Sequence, residues 1–447
     1  MINLIQMPYR LLRNWGYGLL ALLHLLVLLG VSLRGEGSLK DRLGAQFSSP
    51  AGLRHATSFV RSFFPNIRLN RRLVQSYRNS ATVIVTRRDD VRDVLSRNGD
   101  FEVVYESRMR QITAGENFFL GMQPSWLYTR DTSNMRLAMR SDDVATMVLP
   151  DARRLADAIV SDAKGALDIP QQLTHKIPTQ MVSRYFGVPG PSEEAMVEWT
   201  TAMFWYLFSD LGADPEVERK ALSAAQESRH YLDALIQRRK ASPDEIDDVL
   251  GRCLKLQAAG MPGMDDLGIR DNLIGLIIGA IPTLSKASCF ALDELLRRPD
   301  QLVGACSAAR EDDDAQLAQY VQECLRFNPH QPLIYRRANK DCYLAQSTLH
   351  QRKVREGDML LAVTLAASFD PLKIIKPNQF RTDRAASVYM PWGYGLHECF
   401  GAAINAAVIP AILKPLLRRE NTRRASGKAG QIDGKTPFPQ HFAIEFD

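Results

Sequence analysis

From Asn14 to Leu33 the chain carries no Asp, Glu, Lys or Arg, and leucine dominates the run ("GLLALLHLLVLLG"). At 1.5 Å of rise per residue, a helix of roughly 20 residues crosses a hydrocarbon core. Arg10 and Arg13 precede the run, and Arg34, Lys40 and Arg42 follow it. No small-x-small cleavage site follows closely, which argues against a removable signal peptide. A helix lying in the interface or on the protein surface is the other reading. Basic residues flank both sides, so they set no orientation. The expected organisation is a hydrophobic anchor over residues 1–35, a linker over 36–50 marked by Gly, Ser and Pro, and one globular domain over 51–447.

The chain as a whole has ordinary globular composition, with 45% hydrophobic and 24% charged residues among 447. A net charge of +6 is too small to argue for nucleic acid. It suits an acidic protein partner or an anionic membrane surface. The six cysteines, Cys253, Cys289, Cys306, Cys324, Cys342 and Cys399, include no CxxC pair. Scattered cysteines point to a reducing compartment and small buried side chains.

The periodicity predicts mainly α structure with minor β, in a single large domain. "RRLVQSYRNSATVIVTRRDDVRDVLSR" reads strand, turn, strand, helix. Asp151 to Leu256 reads mostly helical, broken at "GVPGPSE" and "SPDE", with Ser192 as an N-cap. "MFWYLF" (Met203–Phe208) is either core packing or the wall of an apolar cavity. A long apolar helix, "DNLIGLIIGAIPTLSKASCFALDELLRRPD", and a second helix, "AQLAQYVQECLRFNP", follow. "PLIYRRANKDCYL" and "KVREGDMLLAVTL" read as short strands, and "AAINAAVIPAILKPLLRR" as a final helix.

The chemistry concentrates in "YMPWGYGLHECFGAAINAA", Tyr389 to Ala407. Cys399 has three candidate roles there. Zinc would need about four clustered ligands, and only His397 is near. A nucleophile would need a base, and His397 could serve, although an apolar glycine loop is unusual for hydrolysis. A heme thiolate needs one cysteine held by a tight loop, which Gly393, Gly395 and Gly401 permit. A following helix would bring its positive N-terminal end toward that thiolate.

Trp392-Gly-Tyr-Gly-Leu-His397-Glu-Cys399-Phe-Gly401 resembles the heme-binding signature of the cytochrome P-450 family, with Trp392 where Phe is usual. The resemblance runs from about Pro50 to Asp447. It implies a cytochrome P-450 fold, heme b (iron protoporphyrin IX) as cofactor, and Cys399 as the axial thiolate of its iron. Trp392, Gly393 and Gly401 would line the cofactor. His397 and Arg336 would meet its propionates, with Arg337 the one-residue alternative. Glu323 and Arg326 resemble the family's Glu-x-x-Arg pair, and Arg384, in "FRTDR", the meander arginine that joins it. "DEIDDVLGRCL" resembles the acidic turn before the long helix over the heme.

In the family that helix carries a small residue beside the dioxygen site, then an acid and a threonine that deliver protons. Here it reads Gly279-Ala280-Ile281-Pro282-Thr283-Leu284. Ala280 and Gly279 keep the space and Thr283 keeps the alcohol, but Pro282 replaces the acid. No Asp or Glu lies between Asp271 and Asp293. Proline also removes the N–H that would reach Ile278 and favours a kink. The expected activity is a monooxygenase hydroxylating or epoxidising a lipophilic fatty acid, terpenoid or sterol-like molecule, with a ferredoxin or reductase as electron donor. A peroxide-driven peroxygenase or hydroperoxide isomerase is the alternative, and a non-catalytic heme sensor or carrier a minor one. Ile274, Ile277, Ile278 and Ile281 are candidates to line an apolar pocket, together with Phe204 to Phe208. Lys286 is expected at the surface or against a carboxylate. The basic C-terminal run "LLRRENTRR" is a candidate docking patch. The heme domain is expected on the cytoplasmic side of a membrane.

Overall fold

The computed structural model describes residues 6–34, 38–242, 246–433 and 436–447. The two ends of the anchor span (residues 1–5 and 35), residues 36–37 of the expected linker, and residues 243–245 of the "SPDE" break lie outside the described residues. Helix accounts for 59% and strand for 7% of the chain, the balance the periodicity implied. The chain divides into two compact units.

The first unit gathers residues 1–74, 78–102 and 325–399. Its centre is a five-stranded sheet in the order Ile67–Leu69, Thr82–Val85, Met359–Ala362, Ile334–Ala338, Phe101–Glu102. Only Thr82–Val85 and Met359–Ala362 pair in parallel. Val83, Val85 and Leu360 from the sheet pack with Val91, Val94 and Leu95 of helix Arg88–Ser96. The first strand lies at Ile67–Leu69, upstream of the "RRLVQSY" segment expected to supply it.

Residues expected to be linker instead form helix Leu39–Ser48, after which Ser49 caps helix Pro50–Phe63 by accepting from the Gly52 N–H at 3.0 Å. The leucine-rich segment is one helix, Gln6–Arg34. Its Leu11–Arg34 stretch is long and apolar enough to cross a membrane, with mean hydropathy 2.1. That helix lies against Pro50–Phe63. Gly18 allows the approach, since a Cβ there would stand 2.5 Å from Ser62 Cβ. The Ser62 hydroxyl donates to the Asn14 carbonyl at 3.0 Å, and the His24 and His55 rings stack at 4.3 Å. The opposite face, with Leu12, Leu19, Leu23, Leu26 and Val27, is exposed.

The second unit gathers residues 75–77, 103–324 and 400–447. It is built on helix Asp266–Leu296, capped by the Asp265 carboxylate accepting from the Gly268 N–H. This core helix is apolar on all sides and almost entirely buried, as such a composition requires. Helices Lys176–Arg184, Glu193–Phe204, Pro215–Ala241 and Ala402–Arg418 pack around it. Its two C-terminal acids are paired, Asp293 with Arg424 at 2.6 Å and Glu294 with Arg298 at 2.7 Å. A three-stranded sheet, Ala166–Asp168, Ala443–Glu445 and Arg423–Arg424, closes the unit; its first strand falls in a region expected to be helical.

Candidate functional site

The cysteine loop belongs to the first unit. Gly393 and Gly395 adopt φ of +86° and +79°. At Gly395 conformation and space both demand glycine: a Cβ would sit 2.6 Å from the Leu95 carbonyl oxygen of helix Arg88–Ser96. At Gly393 the nearest atom to a Cβ is Ile334 Cδ1, at 3.4 Å. Gly401 differs, because its φ of −89° is open to any residue. Its expected role therefore rests on close approach of the cofactor alone. The Cys399 N–H donates to the Trp392 carbonyl at 2.9 Å and closes the loop. The Arg92 guanidinium lies 4.4 Å over the Tyr394 ring and donates to its hydroxyl. The Trp392 ring stands 6.0 Å from that of His330. His397 ends the single 3₁₀ turn Gly395–His397, two residues before the cysteine.

Cys399 is half-buried, whereas Cys253, Cys289, Cys306 and Cys324 are buried. Burial pushes the Cys253 and Cys289 thiols up to about 12, so they are inert fillers. No group of three or more His, Cys, Asp or Glu that could hold a metal occurs among the described residues. That donor set is wrong for a protein-ligated zinc and fits an iron that arrives already held by a macrocycle and asks the chain for one soft thiolate.

Strand Ile334–Ala338 separates the two adjacent arginines. Arg337 stands opposite Glu102 in the sheet, and its Nε donates to the Glu102 carboxylate at 2.6 Å. Strand alternation turns Arg336 to the other face, where it is buried with Nη1 on the Tyr335 carbonyl at 2.8 Å. Arg337 is thus engaged with Glu102 on one face of the strand, and Arg336 lies buried on the other.

Glu323 and Arg326 are both buried on helix Asp314–Phe327. Arg326 donates to three backbone carbonyls, Ser368 at 3.1 Å, Pro377 at 2.8 Å and Gln379 at 3.2 Å. Arg384 reaches the same Gln379 carbonyl at 2.8 Å, and also Ile375 and Lys376. The two arginines therefore meet through a shared carbonyl, and together they pin the segment 368–384 that leads toward the cysteine loop.

In the second unit, Gly279 and Ala280 are half-buried on a core helix that is buried on both sides of them. A Cβ built on Gly279 meets no heavy atom within 4 Å. The helix therefore presents open space at Gly279, beside the small side chain of Ala280. Thr283 lies one turn on, and its hydroxyl donates to the Gly279 carbonyl. The helix runs unbroken through Pro282, so the proline leaves the Ile278 carbonyl without its helical donor but does not end the helix. Three expectations change here. Ile274, Ile277, Ile278 and Ile281 are at most 1% exposed and form core, so the accessible backbone is Gly279 and Ala280. Lys286 is buried, and no carboxylate meets it among the described residues. The C-terminal basic run is largely engaged: Arg418 on Asp312, Arg423 on Glu445 and Asp447, Arg424 on Asp293. Lys286 was open to discovery in the sequence, because a helix apolar all round must bury whatever lysine it carries.

The model of the family described as cytochrome P450 matches residues 75–421. Among curated relatives, the putative cytochrome P450 133B2 of Xylella fastidiosa is 24% identical over 62% of this chain and 66% of its own length. The cytochrome P450 monooxygenase PikC of Streptomyces venezuelae is 27% identical over 59% of each chain. The chain thus matches somewhat under two thirds of the length of these two relatives. Cytochrome P450 GfsF of Streptomyces halstedii is 24% identical over 92% of this chain and 95% of its own. Among solved structures, CalO2 superposes with a TM-score of 0.73 at 22% identity, covering 89% of this chain and 96% of that one. TbtJ1 gives 0.73 at 19% identity, with 90% and 98% covered. The fold is that of these solved structures, and with the family model spanning most of its length the chain belongs to the cytochrome P450 family, whose cofactor is heme.

Proposed function

We propose that the chain is a heme-thiolate monooxygenase acting on a lipophilic small molecule. The observation that carries this reading is the Cys399 loop, closed on Trp392 and shaped by two glycines in the left-handed region. Cys399 would supply the thiolate ligand to a heme iron, with backbone N–H groups of its tight loop available to support the charge. Arg336 and His397 would hold its propionates, and Trp392, Gly393 and Gly401 would border the ring. Glu323, Arg326 and Arg384 keep the approach segment in place. Bound heme would supply the redox chemistry that cleaves dioxygen or a peroxide. Ala280 and Gly279 leave room for a small molecule beside the helix. Thr283 keeps a hydroxyl there whose proton is held by the Gly279 carbonyl, leaving its oxygen lone pairs to accept from water.

A second reading, peroxide as the oxidant, is favoured by Pro282. With no acid between Asp271 and Asp293, the helix supplies no carboxyl to relay protons to Thr283. The two readings separate in one experiment. A peroxygenase turns over substrate with hydrogen peroxide alone and tolerates Thr283→Ala. A monooxygenase requires NAD(P)H with a ferredoxin or reductase and loses coupling in that variant. Turnover only with electron carriers eliminates the peroxide reading, and rapid turnover with peroxide alone eliminates the first. A spin-state screen against fatty acids, terpenoids and sterols identifies the substrate class.

The anchor belongs to the same proposal. Helix Gln6–Arg34 associates the enzyme with a membrane through its exposed leucine face, and the catalytic domain over 51–447 stays on the cytoplasmic side. Partitioning of the full chain into vesicles, lost on deletion of residues 1–35, is the expected result.

A further inference from the structure

The core helix carries one cation that neither its packing nor the proposed oxygen chemistry uses. Lys286 is 8% exposed. Among the described residues its ammonium has no carboxylate and no hydrogen-bond partner. It stands 5.4 Å from the ring centroids of both Phe290 and Phe438. A buried charge without a counter-ion is unfavourable, and two ring faces offset only part of that. Burial alone lowers its pKa to about 8, so near neutrality the side chain is still mostly protonated. Such a site is completed by an anion.

Two further features say what kind. Gly279, Thr283 and Lys286 follow i, i+4, i+7 spacing and share one stripe of the helix. The ammonium therefore sits on the face that opens at Gly279, about 4.5 Å of helix rise beyond Thr283. From Lys286 a line of aromatic rings also leads away: Phe438 meets Phe204 edge-on at 5.7 Å, Phe204 meets Phe208 at 4.7 Å, and Phe208 meets Tyr105 at 4.8 Å. One compact cation at the end of an apolar wall is complementary to one anionic group on an apolar body. Among the described residues no second cation or guanidinium fork accompanies it, which matches a single carboxylate better than a phosphate dianion.

We propose that Lys286 anchors the carboxylate of an amphiphilic substrate whose apolar part lies along Phe438, Phe204 and Phe208. This names a substrate class for the proposed enzyme and rests on the reading of the Gly279–Thr283 face as its substrate side.

The test is isothermal titration of the heme-loaded full chain with dodecanoate and with dodecanol, for wild type, Lys286→Met and Lys286→Arg. A charge-assisted hydrogen bond in a buried site corresponds to a Kd change of about tenfold or more. Wild type should bind dodecanoate about tenfold more tightly than dodecanol. Lys286→Met should abolish that preference and leave dodecanol binding within about twofold, and Lys286→Arg should retain most of it. Undiminished dodecanoate binding by Lys286→Met, or a wild type with no preference for the acid, overturns the proposal. The methionine variant replaces a buried cation by an apolar chain of similar length, so it is expected to fold. The wild type provides an independent arm. Its preference should weaken between pH 7 and 9.5, as Lys286 loses its proton while dodecanoate stays ionised; a preference constant over that range also overturns the proposal. Of the other titratable groups around this turn, Cys289, at about 12, and His175, at about 4, do not titrate in that window, while Asp168 is engaged by His441 and Asp293 by Arg424. The carbon monoxide spectrum of the same samples keeps the two claims apart. Loss of the thiolate signature in wild type defeats the enzyme reading, whereas the dodecanoate titrations decide Lys286 separately.

Discussion

Gly395→Ala tests the shape of the cysteine loop. At φ of +79° an alanine meets the left-handed penalty, roughly 1–2 kcal/mol. Its Cβ would also lie 2.6 Å from the Leu95 carbonyl oxygen, where ordinary contact begins near 3.4 Å. That oxygen belongs to helix Arg88–Ser96, so relief requires backbone to move by several tenths of an ångström. Forced insertion of this kind adds about 1–3 kcal/mol. The expected total is roughly 2–5 kcal/mol. Gly393→Ala carries the conformational part alone, roughly 1–2 kcal/mol, since its Cβ would meet a flexible Ile334 methyl at 3.4 Å. Gly401→Ala, at φ of −89°, should cost no more than about 1 kcal/mol, the difference between glycine and alanine at an N-cap. Its effect should appear as faster heme loss, because an added methyl there obstructs the cofactor and not the fold. Urea unfolding of the heme-loaded variants, followed by tryptophan fluorescence, gives the three stabilities, and heme transfer to an apo-globin acceptor gives the loss rates. An unchanged midpoint for Gly395→Ala, or a larger loss for Gly393→Ala than for Gly395→Ala, refutes the reasoning.

Arg326→Met should destabilise by about 3–5 kcal/mol in the same melts, because it strands the Ser368, Pro377 and Gln379 carbonyls that the buried guanidinium holds. Arg337→Met should cost no more than about 1 kcal/mol, its pair with Glu102 being partly exposed. Arg336→Met should speed heme loss with little change in the melt, and the reverse pattern for these two arginines would reassign the propionate contact. Burial depresses His175 from 6.5 to about 4. The folded state therefore binds fewer protons than the unfolded state between those values, and stability falls as pH drops from about 6.5 toward 4, by up to about 3 kcal/mol. His175→Phe should flatten that part of the stability–pH profile.

The cysteine loop was legible because its chemistry is contiguous: a thiol, two glycines in the left-handed region and a histidine within eight residues of Trp392. The buried pair Glu323 and Arg326 was legible as a spacing, but not the carbonyls that Arg326 holds, which lie some 40–50 residues onward and are fixed only by the fold. The expected linker misled because Gly, Ser and Pro were read as punctuation. Leu39, Leu43 and Phe47 follow i, i+4, i+8 spacing, and Ser49-Pro50 is a cap followed by a first-turn proline. Lys286 was read as a surface residue or a carboxylate partner, and the arginines at 418–424 as an exposed docking patch, on residue type. The first is enclosed by a helix apolar on every side, and the others are engaged by acids distant in sequence, information that no local window contains.

The most direct test of the central claim, that Cys399 is the axial ligand of a bound heme, is the spectrum of the reduced protein under carbon monoxide. Wild type should give the red-shifted Soret band of thiolate-ligated heme, and Cys399→Ala should abolish it. A histidine-type spectrum in the wild type would contradict the assignment of the site.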